Sequence, residues 1–152
     1  MNTKSKQLDP RGPRFGAAIT TVLFAAILLL GIPAATEPAF DAAWWLLVAA
    51  TVLFGWGSIL GPSGHPYAWL YRVSLKKLLE APSFMEDEAP PRFAQTVGFA
   101  ISLLGVLLHL FAVPWGLVIA SAMAFVAAFL NAVFGLCLGC ELYSLLLRAR
   151  RR

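Results

Sequence analysis

The chain has 152 residues, of which 59% are hydrophobic and only 13% are charged. Soluble domains carry about 25% charged residues, so this composition excludes an ordinary soluble fold and indicates a protein dissolved in a lipid bilayer. The net charge of +4 could suggest a nucleic-acid partner, but the positions of the basic residues assign them to lipid headgroups, and we expect no nucleic-acid binding. Two cysteines are too few for a disulfide-stapled secreted scaffold.

Four apolar stretches are long enough to cross about 30 Å of hydrocarbon as helices. They are residues 15–32, 42–60, 93–113 and 116–147. The fourth stretch contains no proline after Pro114, which predicts one helix longer than the membrane is thick. The predicted fold is therefore all-α, a single membrane domain over residues 1–152 with four transmembrane helices arranged as two similar hairpins.

The segment between the two hairpins is itself patterned. Apolar residues recur at helical spacing over about residues 67–79, with Arg72 and Lys76 on another face, which predicts an amphipathic interfacial helix. An acidic, proline-rich linker follows over residues 81–91, and we expect it to be solvated and mobile.

All twelve Lys and Arg residues fall on one side of this predicted topology. Because short basic loops stay in the cytoplasm, both termini are predicted to be cytoplasmic. We expect a multi-pass membrane protein.

A short repeat links the hairpins. Pro13-Arg14-Phe15 precedes the first helix as Pro91-Arg92-Phe93 precedes the third, and Phe54-Gly55 is echoed by Phe134-Gly135. An internal duplication is one interpretation, and chance matching of three residues is the other.

The candidate chemical site is Cys137-Leu138-Gly139-Cys140 in the fourth helix. Residues at i and i+3 share a helical face, and Glu141 and Ser144 extend it as a polar stripe. Counting from Trp115 at 1.5 Å per residue, Cys137 lies near the cytoplasmic boundary, where soluble proteins can reach it.

Three basic side chains are predicted at the same depth. Arg14 and Arg92 begin the first and third helices, and His65 follows the second. Positive charge lowers the pKa of a thiol and raises its reactive thiolate fraction, so these residues would activate Cys137 and Cys140 without a cofactor. A cysteine pair inside a continuous helix would gain little from the helix dipole.

Two other interpretations of the cysteine segment stay open. In the first, the cysteines only pack, Gly135 and Gly139 form a small-residue packing face that could also support a homodimer, and Asn131 makes an interhelical hydrogen bond. In the second, His65 and Glu141 join the thiols as zinc or copper ligands, although the second ligand pair of a typical site is missing.

The chain resembles a family of small bacterial, largely actinobacterial, integral membrane proteins with a domain of unknown function. The resemblance rests on Asp9-Pro10-Arg11, the two Pro-Arg-Phe segments and the run from Phe134 to Tyr143, which contains Cys-Leu-Gly-Cys-Glu. It implies that Cys137 and Cys140 belong to the family pattern. It also implies a setting among thioredoxin-like and sulfurtransferase proteins.

Three functions are therefore compatible with the sequence. The cysteine pair could act in thiol redox or sulfur relay, as a thiol-disulfide oxidoreductase with a thioredoxin-like or rhodanese-like cytoplasmic partner. It could form part of a small transporter of a sulfur species or a soft metal. It could also belong to a structural or assembly subunit without chemistry. No motif of a hydrolase is present.

Overall fold

The computed structural model describes residues 6–37 and 39–150 of the chain. Within them six α-helices and one pair of two-residue strands follow in the order β1, α1, α2, α3, β2, α4, α5, α6. Their bounds are β1 Gln7–Leu8, α1 Arg11–Gly31, α2 Ala42–Leu60, α3 Pro66–Ser74, β2 Glu86–Asp87, α4 Ala89–Leu110, α5 Gly116–Phe134 and α6 Leu138–Arg150.

Four of these helices, α1, α2, α4 and α5, are long and apolar enough to cross a membrane. Large side chains such as Val22, Leu29 and Ile59 are exposed on the outside of the bundle, as expected of a surface that lipid covers. The prediction of an all-α, four-helix membrane protein with an additional amphipathic helix is confirmed. The chain is a multi-pass protein in a lipid bilayer.

The helix starts are marked by local hydrogen bonds and prolines. The Asp9 carboxylate accepts a hydrogen bond from the backbone N–H of Arg11 at 3.0 Å, and Asp41 accepts one from Trp44 at 3.2 Å. Pro90 and Pro91 occupy the first turn of α4, where a missing N–H costs nothing. For this reason α1 and α4 begin at Arg11 and Ala89, four residues earlier than predicted.

The predicted linker is more ordered than expected. Glu86 and Asp87 form β2 and pair antiparallel with β1, and α4 already begins at Ala89. Glu88, with 8% of its surface exposed, accepts hydrogen bonds from the backbone N–H and the hydroxyl of Ser63. The segment over residues 81–91, expected to be a solvated linker, therefore contains β2, the buried Glu88 and the start of α4, while Glu86 and Asp87 are exposed.

The predicted amphipathic helix is present as α3 but is shorter than residues 67–79. The N–H groups of Leu75 and Lys76 both donate to the carbonyl of Tyr71. A bond from Lys76 to a carbonyl five residues back cannot continue an α-helix, so the chain leaves the helix after Ser74.

The helices of each hairpin pack mainly on helices of the other hairpin. α1 packs mainly on α5, and α4 packs mainly on α2, while Phe24, Ile27 and Leu47 lie fully buried in the core. Each hairpin thus completes its packing against the other hairpin. We call the end of the bundle where α1 and α4 begin and α2 and α5 end the basic end.

Equivalent contacts recur in both halves at the basic end. The ring of Phe15 in α1 lies 5.9 Å from Tyr71 of α3, and the ring of Phe93 in α4 lies 5.6 Å from Tyr143 of α6. Asp87 accepts from the N–H of Ala89 as Asp9 does from Arg11. α3 and α6 are therefore counterparts, and the two Pro-Arg-Phe segments occupy equivalent places in the two halves. The Phe-Gly pairs are not equivalent, because Phe54 lies inside α2 whereas Phe134 ends α5.

Candidate functional site

The fourth predicted helix is interrupted just before the cysteines. α5 ends at Phe134, Gly135 adopts a left-handed conformation with φ of 69°, and α6 begins at Leu138. The prediction of one continuous helix over residues 116–147 is therefore wrong. Gly135 itself was the available signal, because glycine after an apolar run is a common helix stop, whereas the prediction relied on the absence of proline.

This interruption places the two cysteines at the start of α6. Cys137 immediately precedes the helix and Cys140 lies in its first turn, and the two form a disulfide. The backbone N–H of Cys140 donates to Cys137 Sγ at 3.2 Å. Cys137 thus occupies the position of a helix cap, where free N–H groups and the helix dipole stabilise negative charge. The expectation that the dipole would contribute little is wrong for the same reason.

The disulfide is half-buried. The side of α6 that carries Gly139 lies against α4, where a Cβ on Gly139 would come within 2.6 Å of the Ala94 backbone. Tyr143, one turn further along, packs on Phe93. The close approach of α6 to α4 fixes the first turn of α6 and with it the position of both sulfurs.

Arg14 lies beside the interruption between α5 and α6. Its guanidinium donates to the carbonyls of Ala132 and Val133 at 3.4 Å and lies 3.6 to 3.7 Å from the position a Cβ of Gly135 would take. These carbonyls belong to the last turn of α5, which carries the negative end of that helix's dipole. Arg14 therefore compensates negative partial charge a few residues from Cys137.

Arg92 makes the equivalent hydrogen bonds in the other half, to carbonyls at the end of α2. Its guanidinium donates to Ser58 and Ile59 in the last turn of α2 at 2.8 Å. The prediction placed both arginines around the thiols. In the structure Arg14 lies beside the interruption that precedes Cys137, and Arg92 is hydrogen-bonded to the end of α2.

The ring nitrogens of His65 make hydrogen bonds to α2 and α3. Its Nε2 pairs with the carbonyl of Leu53 at 3.1 Å, and its Nδ1 accepts from the N–H of Tyr67, capping α3. Burial lowers the pKa of His65, against a smaller opposing effect of the Leu53 hydrogen bond. His65 is thus a neutral helix cap with 5% of its surface exposed, and both ring nitrogens are bound within its own half.

His65 and Cys137 are counterparts, because each caps the short helix that follows a glycine at positive φ, Gly61 in one half and Gly135 in the other. The first half fills this position with a buried ring, and the second half places a half-buried sulfur there. Both ring nitrogens of His65 are bound to Leu53 and Tyr67, so neither forms a hydrogen bond with Cys137 or Cys140.

The remaining predicted residues are placed as follows. Glu141 lies exposed in the first turn of α6, and its N–H donates to the Cys137 carbonyl. The carbonyl of Asn131 accepts from the N–H of Gly135, which ends α5. Gly139 packs on α4, but Gly135 lies outside both helices, so the two glycines do not form one packing face.

No group of three His, Cys, Asp or Glu side chains within residues 6–37 and 39–150 is close enough to hold a metal ion. The ligand set of Cys137, Cys140, His65 and Glu141 considered from the sequence is not assembled, because His65 is bound to Leu53 and Tyr67. The arrangement instead provides two sulfurs at a helix start, where disulfide and thiolate forms can interconvert.

Comparison with known proteins gives one family. Residues 8–148 match the family described as a domain of unknown function, DUF4395. No curated protein and no solved structure matches the chain. The match spans both hairpins, β2, the interruption at Gly135 and the cysteine pair, so the chain belongs to the DUF4395 family.

Proposed function

We propose that this protein is a membrane-bound thiol-disulfide exchange or sulfur-relay protein that uses Cys137 and Cys140. The observation that supports the proposal most directly is the hydrogen bond from the Cys140 N–H to Cys137 Sγ at the start of α6. The same bond and the helix dipole stabilise a thiolate at Cys137 in the reduced protein. Cys137 is the nucleophile in this scheme, and Cys140 is the resolving cysteine.

The exchange balances as two successive displacements. The Cys137 thiolate attacks one sulfur of a partner disulfide, and the other partner sulfur leaves as a thiolate. Cys140, after losing its proton, attacks Cys137 Sγ and releases the second partner thiolate. The cysteine pair loses two electrons and two protons to the partner, which becomes a dithiol, and the reverse sequence reduces the pair again.

Sulfur relay uses the same atoms. The Cys137 thiolate attacks the outer sulfur of a persulfide donor, forming a Cys137 persulfide and a donor thiolate. Attack by Cys140 on Cys137 Sγ then releases hydrogen sulfide and closes the disulfide. The donor in this version is a rhodanese-like protein, whereas simple exchange uses a thioredoxin-like protein.

The location follows from charge. The basic end contains the starts of α1 and α4 and the C-terminal arginines Arg148 and Arg150. Under the positive-inside rule this end faces the cytoplasm of a bacterium whose inner membrane holds the protein. The disulfide at the start of α6 lies at the same end, within reach of cytoplasmic proteins.

Redox titration of the purified protein in detergent tests the proposal. The protein is equilibrated with glutathione at a series of potentials, and its free thiols are tagged with a mass label. We expect one two-electron transition at a potential that cytoplasmic thiols reach, and loss of the transition in both C137S and C140S. A pair that stays in one oxidation state across the accessible range would contradict the redox function and support a packing role.

A second measurement separates exchange from transport. Reconstituted vesicles loaded with sulfide or a soft metal ion report passage of solute, whereas mixed-disulfide formation with a soluble dithiol protein reports exchange. We expect exchange without passage of solute. Passage that depends on Cys137 and Cys140 would replace the proposal with transport.

A further inference from the structure

The helix that begins with the disulfide has one face without a protein partner. On α6, Gly139 and Tyr143 pack on α4, while Leu138, Leu142 and Leu145 lie at i, i+4 and i+7 and are exposed. This spacing aligns the three leucines along one side of the helix, which we call the leucine stripe. Leu142 and Leu145 are 43% and 58% exposed.

A second stripe on α6 is polar. Cys140, Ser144 and Arg148 lie at i, i+4 and i+8, and the Ser144 hydroxyl donates to the Cys140 carbonyl. At 100° per residue the centre of this polar stripe lies about 130° around the helix axis from the centre of the leucine stripe. Cys137, just before the helix, falls on the same polar side, whereas exposed Glu141 lies between the two stripes. Over residues 138–145 α6 is therefore amphipathic, and the leucine stripe and the sulfurs lie on different sides of the helix.

The leucine stripe continues a surface that already meets lipid. α5 is a membrane-spanning helix, and Phe134 at its end is 69% exposed. Only residues 135–137 separate it from α6. The contact of Tyr143 with Phe93 keeps the first turns of α6 alongside the first turns of α4, at the level where that helix enters the membrane.

Charge complements this position. Arg148 and Arg150 are exposed in the last turn of α6, where they can reach anionic headgroups. The counterpart helix α3 has the same character, with exposed Trp69 and Val73 beside Arg72. Both helices stand at the basic end, so the repeat supplies a pair of amphipathic helices at one membrane surface.

We propose that α6 binds the surface of its own membrane, with the leucine stripe inserted among anionic lipids and the polar stripe that contains Cys140 turned toward water. This inference deepens the proposed function, on which one consequence rests. A disulfide held on the aqueous side of an interfacial helix exchanges with water-soluble dithiols, and not with a quinone dissolved in the hydrocarbon.

Nitroxide labels on the full chain test the orientation in vesicles of phosphatidylcholine and phosphatidylglycerol. Single labels are attached to L142C and, as the matched control, to S144C in the C137S/C140S background. Serine is a good helix cap, so this background preserves the start of α6. We expect the label at 142 to collide mainly with lipid-soluble oxygen and the label at 144 mainly with a water-soluble nickel chelate.

Each other outcome has a definite meaning. Equal nickel accessibility at both positions would overturn the proposal by placing the leucine stripe in water. Protection at 142 from both reagents would overturn it in favour of a protein contact, such as a second copy of the chain. A label on L138C, compared with the label on S144C, repeats the test if L142C fails to fold.

The labelled chains carry no native cysteine, so the depth measurement is independent of redox activity. A lipid-facing stripe together with an inactive dithiol would therefore refute only the proposed function. An active dithiol with a water-exposed stripe would refute only the membrane-surface proposal.

Discussion

Cys140 donates its backbone N–H to the Sγ atom of Cys137 at 3.2 Å, across the first turn of α6. The bond makes the two cysteines inequivalent, because only Cys137 receives a backbone donor from the start of the helix. A helix start favours a thiolate at that position, whereas Cys140 lies within the first turn.

The first prediction concerns this inequivalence. In the reduced protein, we expect Cys137 to have the lower thiol pKa and to alkylate faster than Cys140 at neutral pH. The measurement is the pH dependence of alkylation in C140S, which leaves Cys137, and in C137S, which leaves Cys140. C140S should also trap a mixed disulfide when Cys137 attacks the disulfide form of a small thioredoxin-like protein. Faster alkylation of Cys140 would reverse the assignment of the nucleophile.

The second prediction compares two arginines in equivalent positions. R14Q should slow alkylation of Cys137 roughly two- to fivefold, because the carbonyls of Ala132 and Val133 then place uncompensated negative charge near the thiolate. R92Q is the matched control, since Arg92 makes the same bonds to Ser58 and Ile59 in the half without cysteines.

Thermal unfolding provides the internal standard for that comparison. Both variants should lose stability, by about 1 kcal/mol each, because each removes hydrogen bonds that close a helix end. A purely structural role for Arg14 would lower stability without changing the alkylation rate. Equal alkylation rates in R14Q and R92Q would thus reject an electrostatic effect on Cys137.

The third prediction concerns the contact between α6 and α4. G139A should destabilise the protein by about 1 to 3 kcal/mol, because the new methyl group would lie 2.6 Å from the Ala94 Cα in a space that backbone already fills. G64A is the control, since a Cβ there would meet only Leu60 at 3.4 Å. Thermal unfolding in detergent measures both, and an unaffected G139A would show that α6 is not held against α4.

The fourth prediction concerns pH and His65. Burial holds the pKa of His65 below its ordinary value of 6.5 in the folded protein. The unfolded chain therefore binds more protons than the folded chain between the two pKa values, and stability falls as pH drops below about 6.5. The slope is at most about 1.4 kcal/mol per pH unit.

The control for this effect is H65N, because asparagine caps helices but does not titrate in this range. The wild-type protein should lose stability relative to H65N as the pH is lowered from 7 to 5. A constant difference would mean that protonation of His65 does not oppose the cap on α3.

Much of the fold could be predicted from the sequence. The membrane-spanning helices could be predicted from the lengths of the apolar runs, because crossing a bilayer takes about 20 apolar residues whatever the tertiary packing. α3 was readable from amphipathic periodicity, and the repeat from two Pro-Arg-Phe segments. Cys137 and Cys140 were readable as a pair because the spacing i and i+3 brings two side chains to one helical face.

The site depended on features that a linear pattern does not contain. A glycine after an apolar run either continues or ends a helix, and at Gly135 the carbonyls of the last α5 turn are satisfied by Arg14 from α1, a residue of the other hairpin. The break that turns a mid-helix pair into a helix-start pair is thus stabilised by a tertiary contact. The sequence alone predicted one straight helix.

The hydrogen bonding of His65 to Leu53 and Tyr67, and not to the cysteines, has the same origin. Equal depth in the membrane suggested a shared site, but depth says nothing about position around the bundle axis. Packing of α1 on α5 and of α4 on α2 assigns His65 and Cys137 to equivalent places in opposite halves. Sequence by itself determined the elements, their membrane crossing and the reactive residue types, while tertiary packing decided which of those residues meet, because side-chain proximity between helices depends on how the helices pair.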